Sequence, residues 1–351
     1  MFEIIGVIVQ FIPFFILLLL ANGAENPRLL EQGRKKGASF ALSIISHILL
    51  GLIFFIFIVI GILISLLGWI AQNQEKFLEV PQVPPEVMMD IIESLPTVGL
   101  SFWLPSLLGM LLFIPAIRRI IARLIPIDPN HRVHTISLAS SMIIWIYFFF
   151  FVAIGLETLS QLTTGQEQAN TLSTLWAQQI TFFFLALVGV GWLTRRNTGA
   201  VLKRLGLNRP TLRHLSIGVT SGLLLVFGAL SLEYLAQFAG FPNDPHVEQL
   251  TDDLLGPLFG SALGILTLGF AAALGEEAIF RGALLPRFGL FFTSLLFAVV
   301  HSNYGLSLST VIVFFVGLAL GFLRQRYDTT TTMIVHATYN ITLGILTYLS
   351  I

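Results

Sequence analysis

The sequence predicts an all-α, polytopic membrane protein with about ten transmembrane helices. Of its 351 residues, 55% are hydrophobic and 11% are charged, whereas soluble globular domains carry about 25% charged residues. The hydrophobic residues form long runs, without the alternation of apolar and polar residues that a membrane β-barrel requires. We therefore expect helices that cross a lipid bilayer, and the bilayer itself is the first expected partner.

A transmembrane helix needs about 20 predominantly apolar residues, and ten runs of the chain reach or approach this length. The first run starts at Phe2 without a preceding basic segment and contains Glu3. We therefore expect a retained first helix rather than a cleaved signal peptide. The ten predicted spans are 2–21, 39–70, 98–117, 134–156, 176–194, 214–239, 257–283, 288–303, 306–323 and 331–351.

Arginine and lysine are concentrated in the connections after the first, third, fifth, seventh and ninth spans, and the other connections are acidic or neutral. By the positive-inside rule, the basic connections face the cytoplasm and both termini face away from it. We expect an integral, multi-pass protein of a bacterial plasma membrane. The basic residues are Arg28, Arg34, Lys35, Lys36, Arg118, Arg119, Arg123, Arg132, Arg195, Arg196, Lys203, Arg204, Arg209, Arg213, Arg281, Arg287, Arg324 and Arg326.

The acidic connection at 71–97 leaves two structures open. Pro81, Pro84 and Pro85 precede apolar residues at near-helical spacing, which indicates a short helix at the membrane interface. A plain acidic loop fits the same residues equally well.

The composition also excludes several classes of site. The formal net charge is zero, and nothing indicates a nucleic-acid partner. The chain has no cysteine, which excludes disulfides, thiolate nucleophiles and cysteine-based zinc or iron–sulfur sites. No glycine-rich phosphate-binding loop of the Walker or dinucleotide type is present.

A basic linker at 195–213 divides the chain into two predicted domains. Residues 1–195 contain five spans with few polar side chains, and we cannot assign them a role from their sequence. Residues 196–351 contain the other five spans and nearly all of the polar residues that fall inside apolar runs. The chemistry of the protein is therefore expected in the C-terminal domain.

Glu276 and Glu277 are the most unusual residues of that domain, because they interrupt the apolar run at 266–281. A charged side chain at the centre of a bilayer costs about 2.5–3.5 kcal/mol on insertion scales. Glu277 and Arg281 are four residues apart on a helix and can pair, while Glu276 points in another direction. Gly275 permits close approach of another backbone. A helix end with interfacial charges explains the same pattern.

His301, His336 and Asn340 are the other polar candidates inside apolar runs. His336 and Asn340 share one helix face, and each residue could instead serve only to hold helices together. Together with Glu276, however, they suggest hydrolysis of a peptide bond. A carboxylate and an imidazole can deprotonate a water molecule, and a histidine and an amide can stabilise the oxyanion that forms when the water attacks a carbonyl.

Three motifs in this order resemble those of the CPBP family, which comprises the type II CAAX prenyl endopeptidases and the bacterial abortive-infection proteins. They are Glu-Glu-x-x-x-Arg at 276–281, Phe-x-x-x-His at 297–301 and His-x-x-x-Asn at 336–340, and the resemblance covers about residues 200–351. It implies a membrane-embedded protease in which Glu276 activates water with help from His301. His336 and Asn340 would stabilise the oxyanion, and Glu277 and Arg281 would support the helix that carries Glu276.

Several alternatives remain open. Glu276, His301 and His336 could bind zinc as two histidines and one carboxylate, although we favour a mechanism without a metal and expect no cofactor. A transporter that moves protons or a non-proteolytic immunity scaffold would also use buried polar residues. The resemblance implies a membrane-associated peptide or protein as substrate, either prenylated or, in a bacterium, unmodified.

One geometric difficulty accompanies this prediction. His301 lies 14 residues beyond Arg287, which corresponds to about 21 Å along a helix. His301 can meet Glu276 only if Glu276 lies deeper in the bilayer, the eighth helix is tilted, or that helix starts well beyond Arg287. We expect the site inside the bilayer, open to the cytoplasm.

Overall fold

The computed structural model describes residues 2–27, 29, 36–72, 85–163, 171–241 and 243–349, and these residues form an all-α structure, as predicted. The helices before the basic linker are α1 (Phe2–Val9), α2 (Ile12–Ala24), α3 (Lys36–Ala71), α4 (Pro85–Leu111), α5 (Pro115–Ile121), α6 (Arg132–Ile154), α7 (Leu156–Thr163) and α8 (Thr171–Gly189). Those that follow are α9 (Thr198–Leu205), α10 (Leu212–Phe238), α11 (Pro245–Phe259), α12 (Ala262–Glu276), a π-helical segment (Glu277–Leu284), α13 (Leu285–Val299), a 3₁₀ turn (Ser302–Tyr304), α14 (Leu308–Arg326) and α15 (Thr329–Tyr348).

Within the described ranges, eight helical stretches are long and apolar enough to cross a membrane, so the chain is a polytopic membrane protein. Three of the ten predicted spans differ from this set. The seventh and eighth form one helical stretch, Ala262–Val299. The tenth corresponds to α15, which begins with four successive threonines, Thr329 to Thr332, and does not reach the same apolarity.

The long stretch Ala262–Val299 is a hairpin rather than a straight rod. Gly289 has φ 75° and ψ 171°, a backbone conformation that is open essentially only to glycine. The chain therefore turns back at this residue, and the Phe280 and Phe297 rings on either side of it meet edge to face at a centroid distance of 5.3 Å. Glu276 lies 13 residues before Gly289 and His301 lies 12 residues after it, which places both at a similar depth.

In the N-terminal half, α3 and α4 pack closely through glycine. A Cβ atom built on Gly99 would lie 2.1 Å from Ser65 Oγ and 2.3 Å from the Gly61 carbonyl oxygen, so only glycine permits this approach. The connection at 71–97 is helical from Pro85 onward and continues directly into the span as α4. The interfacial helix is therefore part of a longer helix, and the prolines at 81 and 84 lie outside the described residues.

One hydrophobic core joins the two predicted domains. Leu17, Leu50 and Phe54 from the N-terminal half belong to the same buried cluster as Phe280 and Phe297 from the C-terminal half. The linker between the halves contains α9, which Asn197 caps at its start through a hydrogen bond from the Ala200 amide. The two halves on either side of residues 195 and 196 therefore pack against each other. That this boundary separates two functional domains remains a prediction.

The described basic connections lie at a common end of the helix bundle. Arg132 Nη1 is 3.5 Å from Glu25 Oε1, which links the start of α6 to the end of α2. Arg204 in α9 donates a hydrogen bond of 3.0 Å to the Gly282 carbonyl oxygen. His214 Nε2 is 3.0 Å from Asp328 Oδ2, which links α10 to α15. These contacts agree with helices that alternate in direction. The side that faces the cytoplasm remains a prediction. Of the predicted basic residues, Arg28, Arg34 and Lys35 lie outside the described residues.

Candidate active site

Glu276 is the last residue of α12, at the point where the helix changes from α to π geometry. Its Oε1 accepts a hydrogen bond of 3.1 Å from Gln179 Nε2 on α8. Its Oε2 is buried and has no hydrogen-bond partner within the described part of the chain. Gly275 allows this arrangement, because a Cβ atom there would lie 2.2 Å from Gln179 Oε1 and 2.5 Å from the Gln179 carbonyl oxygen. One oxygen of the carboxylate is therefore anchored, and the other can accept a proton.

Glu277 points away from Glu276 into a fully buried ionic cluster. Arg281 Nη1 lies 2.9 Å from Glu277 Oε1, so the predicted pair is present, and the two side chains are 1% and 0% exposed. The Arg281 guanidinium also lies over the Phe297 ring at 4.0 Å from its centroid, a favourable cation–π geometry. This pair fastens the π-helical segment to α13, directly behind Glu276.

His336 on α15 lies between the two glutamates. Its Nδ1 is 2.9 Å from Glu277 Oε1, and its Nε2 is 4.0 Å from Glu276 Oε2. Because Glu277 is paired with Arg281 and can only accept, Nδ1 must carry the proton that is donated to it. The remaining nitrogen, Nε2, faces Glu276.

His301 follows α13 and is oriented by its own preceding turn. Its Nδ1 lies 2.8 Å from the Phe297 carbonyl oxygen and donates to it, since a carbonyl only accepts. The ring stacks on Tyr304 with a centroid distance of 6.1 Å. His301 Nε2 is therefore left for the cavity, and the hairpin at Gly289 explains why a residue so far along the chain reaches the depth of Glu276.

Four of the predicted site residues line one cavity of about 1800 Å³: Glu276, His301, His336 and Asn340. Asn340 follows His336 by one helical turn on α15, as the spacing predicted. Glu277 and Arg281 do not line the cavity and stand behind its wall, consistent with a supporting position. The sequence therefore identified six residues whose side chains lie at or directly behind a single cavity.

The same cavity contains polar residues that the sequence did not point to. Gln179, Asn303 and Tyr304 line it beside Glu276 and His301. Burial raises the pKa of the Tyr304 phenol, and the nearby Glu276 carboxylate raises it further, so the phenol remains a neutral donor. Gln179 is 3% exposed and lies in the fifth predicted span. A glutamine within an apolar run was the feature of the sequence that could have marked it as a site residue.

The zinc alternative receives mixed support from the geometry. The Nδ1 atoms of His301 and His336 bond to a carbonyl and a carboxylate, as the outer nitrogens of zinc-binding histidines do. Throughout the described ranges, however, no three His, Cys, Asp or Glu side chains are grouped closely enough to hold a metal ion. The side chains as arranged do not form a complete zinc site.

Residues 258–342 match the family model described as "Type II CAAX prenyl endopeptidase Rce1-like". This segment of the chain is therefore similar to the Rce1-like family. All six predicted site residues fall inside the matched segment, while Gln179 and the first ten helices fall outside it. The match confirms the family that the three motifs indicated.

One curated relative is the "Uncharacterized 24.3 kDa protein" of Escherichia coli, which is 32% identical over 120 residues. The alignment covers 30% of this chain and 54% of the relative, so the chain spans about half the length of the curated relative it matches. No solved structure matches the chain.

Proposed function

We propose that the protein is an intramembrane endopeptidase that hydrolyses a peptide bond of a membrane-associated protein or peptide. The observation that carries the proposal is the position of Glu276. One of its oxygens is held by Gln179, and the other is buried without a hydrogen-bond partner in the described residues, beside His336 in a cavity that His301 and Asn340 also line. The match of residues 258–342 to a peptidase family supports the same reaction.

In the proposed reaction, Glu276 Oε2 accepts a proton from a water molecule, and the resulting hydroxide attacks the carbonyl carbon of the scissile peptide bond. His301 helps to orient the water through Nε2, since its Nδ1 is engaged by the Phe297 carbonyl oxygen. The proton taken up by Glu276 is then delivered to the leaving amine when the carbon–nitrogen bond breaks. The carboxylate is thereby regenerated, and no covalent enzyme intermediate forms.

His336 and Asn340 are assigned to the oxyanion of the tetrahedral intermediate. Donation from His336 requires a proton on Nε2 in addition to the one on Nδ1. The imidazolium that results is paired with the ionised Glu277, which lies 2.9 Å from Nδ1. Asn340 contributes its side-chain amide as the second donor. Glu277 and the oxyanion carry two negative charges, and Arg281 and the imidazolium carry two positive charges, so the group as a whole is neutral while the intermediate is bound.

The substrate is proposed to enter from the basic, cytoplasmic end of the bundle. The cavity has a volume of about 1800 Å³, whereas ordinary small-molecule pockets have volumes of about 300–1,000 Å³. Its size fits a peptide segment with an attached or neighbouring lipid chain. A prenylated C-terminal tail and an unmodified membrane peptide are both compatible with these dimensions.

Replacement of Glu276 by glutamine tests the proposal. The purified protein in proteoliposomes is incubated with a bacterial membrane-protein fraction, and new peptide termini are identified by mass spectrometry. We expect Glu276→Gln to lower the cleavage rate by at least about a hundredfold, the usual contribution of a general base. Glu248→Gln is the matched control, because Glu248 is an exposed carboxylate of the same cavity. Cleavage by the Glu276→Gln protein at the wild-type rate would remove the assignment.

The zinc-dependent version of the same reaction is the second candidate, favoured by the hydrogen bonds on the outer nitrogens of His301 and His336. Elemental analysis of the active protein, together with activity in the presence of a chelator, separates the two. Stoichiometric zinc and loss of activity on chelation would support the zinc-dependent version. Retention of biological function by Glu276→Gln would instead indicate a scaffold, and ion flux through the wild-type protein in liposomes would indicate a transporter.

A further inference from the structure

Four arginines meet at the basic end of the cavity, and we name them the arginine cluster: Arg195, Arg196, Arg204 and Arg287. They come from the turn after α8, from α9 and from the start of α13. All four line the cavity that contains Glu276. Glu276 and Arg287 are 11 residues apart on one helical stretch, about 16 Å along an ideal helix. The cluster is therefore separate from the proposed catalytic residues.

The hydrogen bonds of the cluster go to neutral groups. Arg195 Nε donates to Asn22 Oδ1 at 2.8 Å, Arg204 Nη1 donates to the Gly282 carbonyl oxygen at 3.0 Å, and Arg196 donates to a backbone carbonyl oxygen. Arg287 is exposed, and within the described part of the chain it forms no hydrogen bond or ion pair. These contacts hold the guanidinium groups in place but do not neutralise their charge.

The positively charged arginines of the cluster repel one another, and burial together with this repulsion lowers the pKa values of Arg195 and Arg204. Burial and the charges of Arg196 and Arg287 together lower the pKa of Arg195 to about 10, although Glu25 acts in the opposite direction. Burial likewise lowers the pKa of Arg204 to about 10, with Arg287 as the largest charged contributor. Glu25 is itself engaged by Arg132 at 3.5 Å, and Asp128 is the carboxylate that lines this end of the cavity with the four arginines. An anion bound here would relieve the repulsion.

Positive charge continues beyond the cavity. Arg204 and Arg287 also line a second depression of about 670 Å³, together with Lys203 and Arg324. Arg324 Nε is buried without a hydrogen-bond partner in the described part of the chain, as is His131 Nδ1 on the cavity side. The arginine cluster thus lies between the cavity and a second, basic depression, and each side retains an unused donor or acceptor atom.

The position and shape of this region indicate the occupant. The cluster lies where α8 ends and α13 begins, at the end of membrane-spanning helices, which is the level of lipid headgroups. Guanidinium groups match the oxygen atoms of phosphate in pairs and bind them strongly. Much of the cavity wall is apolar, and the N-terminal helices contribute Phe14, Leu18, Phe57 and Phe182 to it. This combination suits a phosphate attached to a hydrocarbon chain.

We propose that the arginine cluster binds the phosphate headgroup of an anionic phospholipid, with an acyl chain along the apolar wall that the N-terminal helices contribute. Such a site assigns a role to α2, α3 and α8, which lie outside the segment that matches the peptidase family. The lipid is a bound component of the protein and not the substrate, and its binding does not depend on peptidase activity.

Native mass spectrometry of the full-length protein tests the site, with phosphatidylglycerol and phosphatidylcholine titrated separately into the same detergent. We expect preferential retention of phosphatidylglycerol. Each basic residue at a membrane surface contributes about 1 kcal/mol to the binding of an anionic lipid, which is about fivefold in affinity. The double variant Lys203→Gln/Arg287→Gln removes one arginine of the cluster and the lysine that adjoins it in the second depression, and it should therefore weaken phosphatidylglycerol binding by roughly 25-fold. Both side chains are exposed, so their replacement should leave the fold intact.

The matched control is Arg209→Gln/Arg213→Gln, which removes two exposed arginines near the start of α10 that line neither depression. Retained binding by the control and loss by the test variant support the proposal; equal losses by both would show only a general basic surface and overturn it. Equal retention of the two lipids by the wild-type protein would also overturn it, and this result requires no variant. Displacement of phosphatidylglycerol by inorganic phosphate at comparable concentration would identify a soluble anion site instead.

Discussion

At the scale of single residues, Gln179 matters most among those outside the matched family segment. Its side-chain amide donates to Glu276 Oε1 at 3.1 Å, and its backbone touches Gly275. We expect Gln179→Leu to lower kcat about tenfold to a hundredfold with little change in KM, because a hydrogen bond to a charged group contributes about 1.5–3 kcal/mol. Steady-state kinetics of cleavage by the reconstituted protein measures both constants.

Gln178→Leu is the matched control for this prediction. Gln178 is the neighbouring amide and also lines the cavity, but no hydrogen bond joins it to Glu276 among the described residues. A general loss of packing in α8 would affect both variants alike. Equal kcat values for the two variants would contradict a positioning role for Gln179.

At the scale of elements, the hairpin at Gly289 sets the depth of His301. Any residue other than glycine is strained at φ 75° and ψ 171°, by about 1–3 kcal/mol, and a Cβ atom would lie 3.2 Å from Pro126 Cδ. We expect Gly289→Ala to lower the melting temperature and to reduce activity more than stability alone explains. Gly228→Ala is the control, since a Cβ atom there meets nothing within 4 Å.

Thermal unfolding in detergent and the cleavage rate of the remaining folded protein check this prediction. Normal activity of folded Gly289→Ala protein would show that the turn does not position His301. If Gly228→Ala lost as much stability as Gly289→Ala, the strain at Gly289 would not be the cause.

The N-terminus of α15 gives a second prediction at this scale, because α15 carries His336 and Asn340. Asp328 caps the helix by accepting a hydrogen bond of 2.8 Å from the Thr331 amide. Burial acts to raise the pKa of Asp328, but hydrogen bonds from Asn208 and Thr331 and the charge of His214 outweigh it, so the pKa lies below its usual value. A depressed carboxyl pKa stabilises the fold above the pKa of the unfolded chain, and this stability is lost as the pH falls through the folded value.

We therefore expect the melting temperature to decrease as the pH falls below about 4, and we expect Asp328→Asn to remove part of this dependence. At neutral pH the variant should keep most of its stability, because asparagine caps a helix about as well as aspartate and can still accept from the Thr331 amide. Melting curves over a pH series measure both effects. Asp90→Asn, an exposed carboxylate on α4, is the control. An unchanged pH dependence in Asp328→Asn would contradict the assignment.

These elements also explain what the sequence could and could not predict. The pairing of Glu277 with Arg281 and the shared face of His336 and Asn340 follow from helical spacing, and both are present. The depth of Glu276 was harder to predict, because the helix continues past residue 283 to a turn that a single glycine determines. Gln179 could not be linked to Glu276 at all, since no local rule connects side chains 97 residues apart.

At the scale of the whole molecule, the two halves of the chain form one structure around the cavity. Leu17, Leu50 and Phe54 share a buried core with Phe280 and Phe297, and Gln179 reaches Glu276 across the same boundary. A C-terminal fragment alone would expose that core and lose the anchor of Glu276. We therefore expect the motif-bearing domain to depend on the N-terminal helices both for its stability and for the proposed chemistry.

Expression of residues 196–351 alone, and together with residues 1–195 as a separate chain, tests this dependence. We expect the fragment alone to aggregate or to be inactive, because the shared core is apolar on both sides. Co-expression should restore a complex that elutes as one species and cleaves substrate, since the break falls in the linker and leaves every helix intact. The same complex built with Gln179→Leu should assemble but cleave more slowly, which separates the structural contribution of the N-terminal half from its contribution to the site. Full activity of the fragment alone would show that the domain boundary is also a functional one.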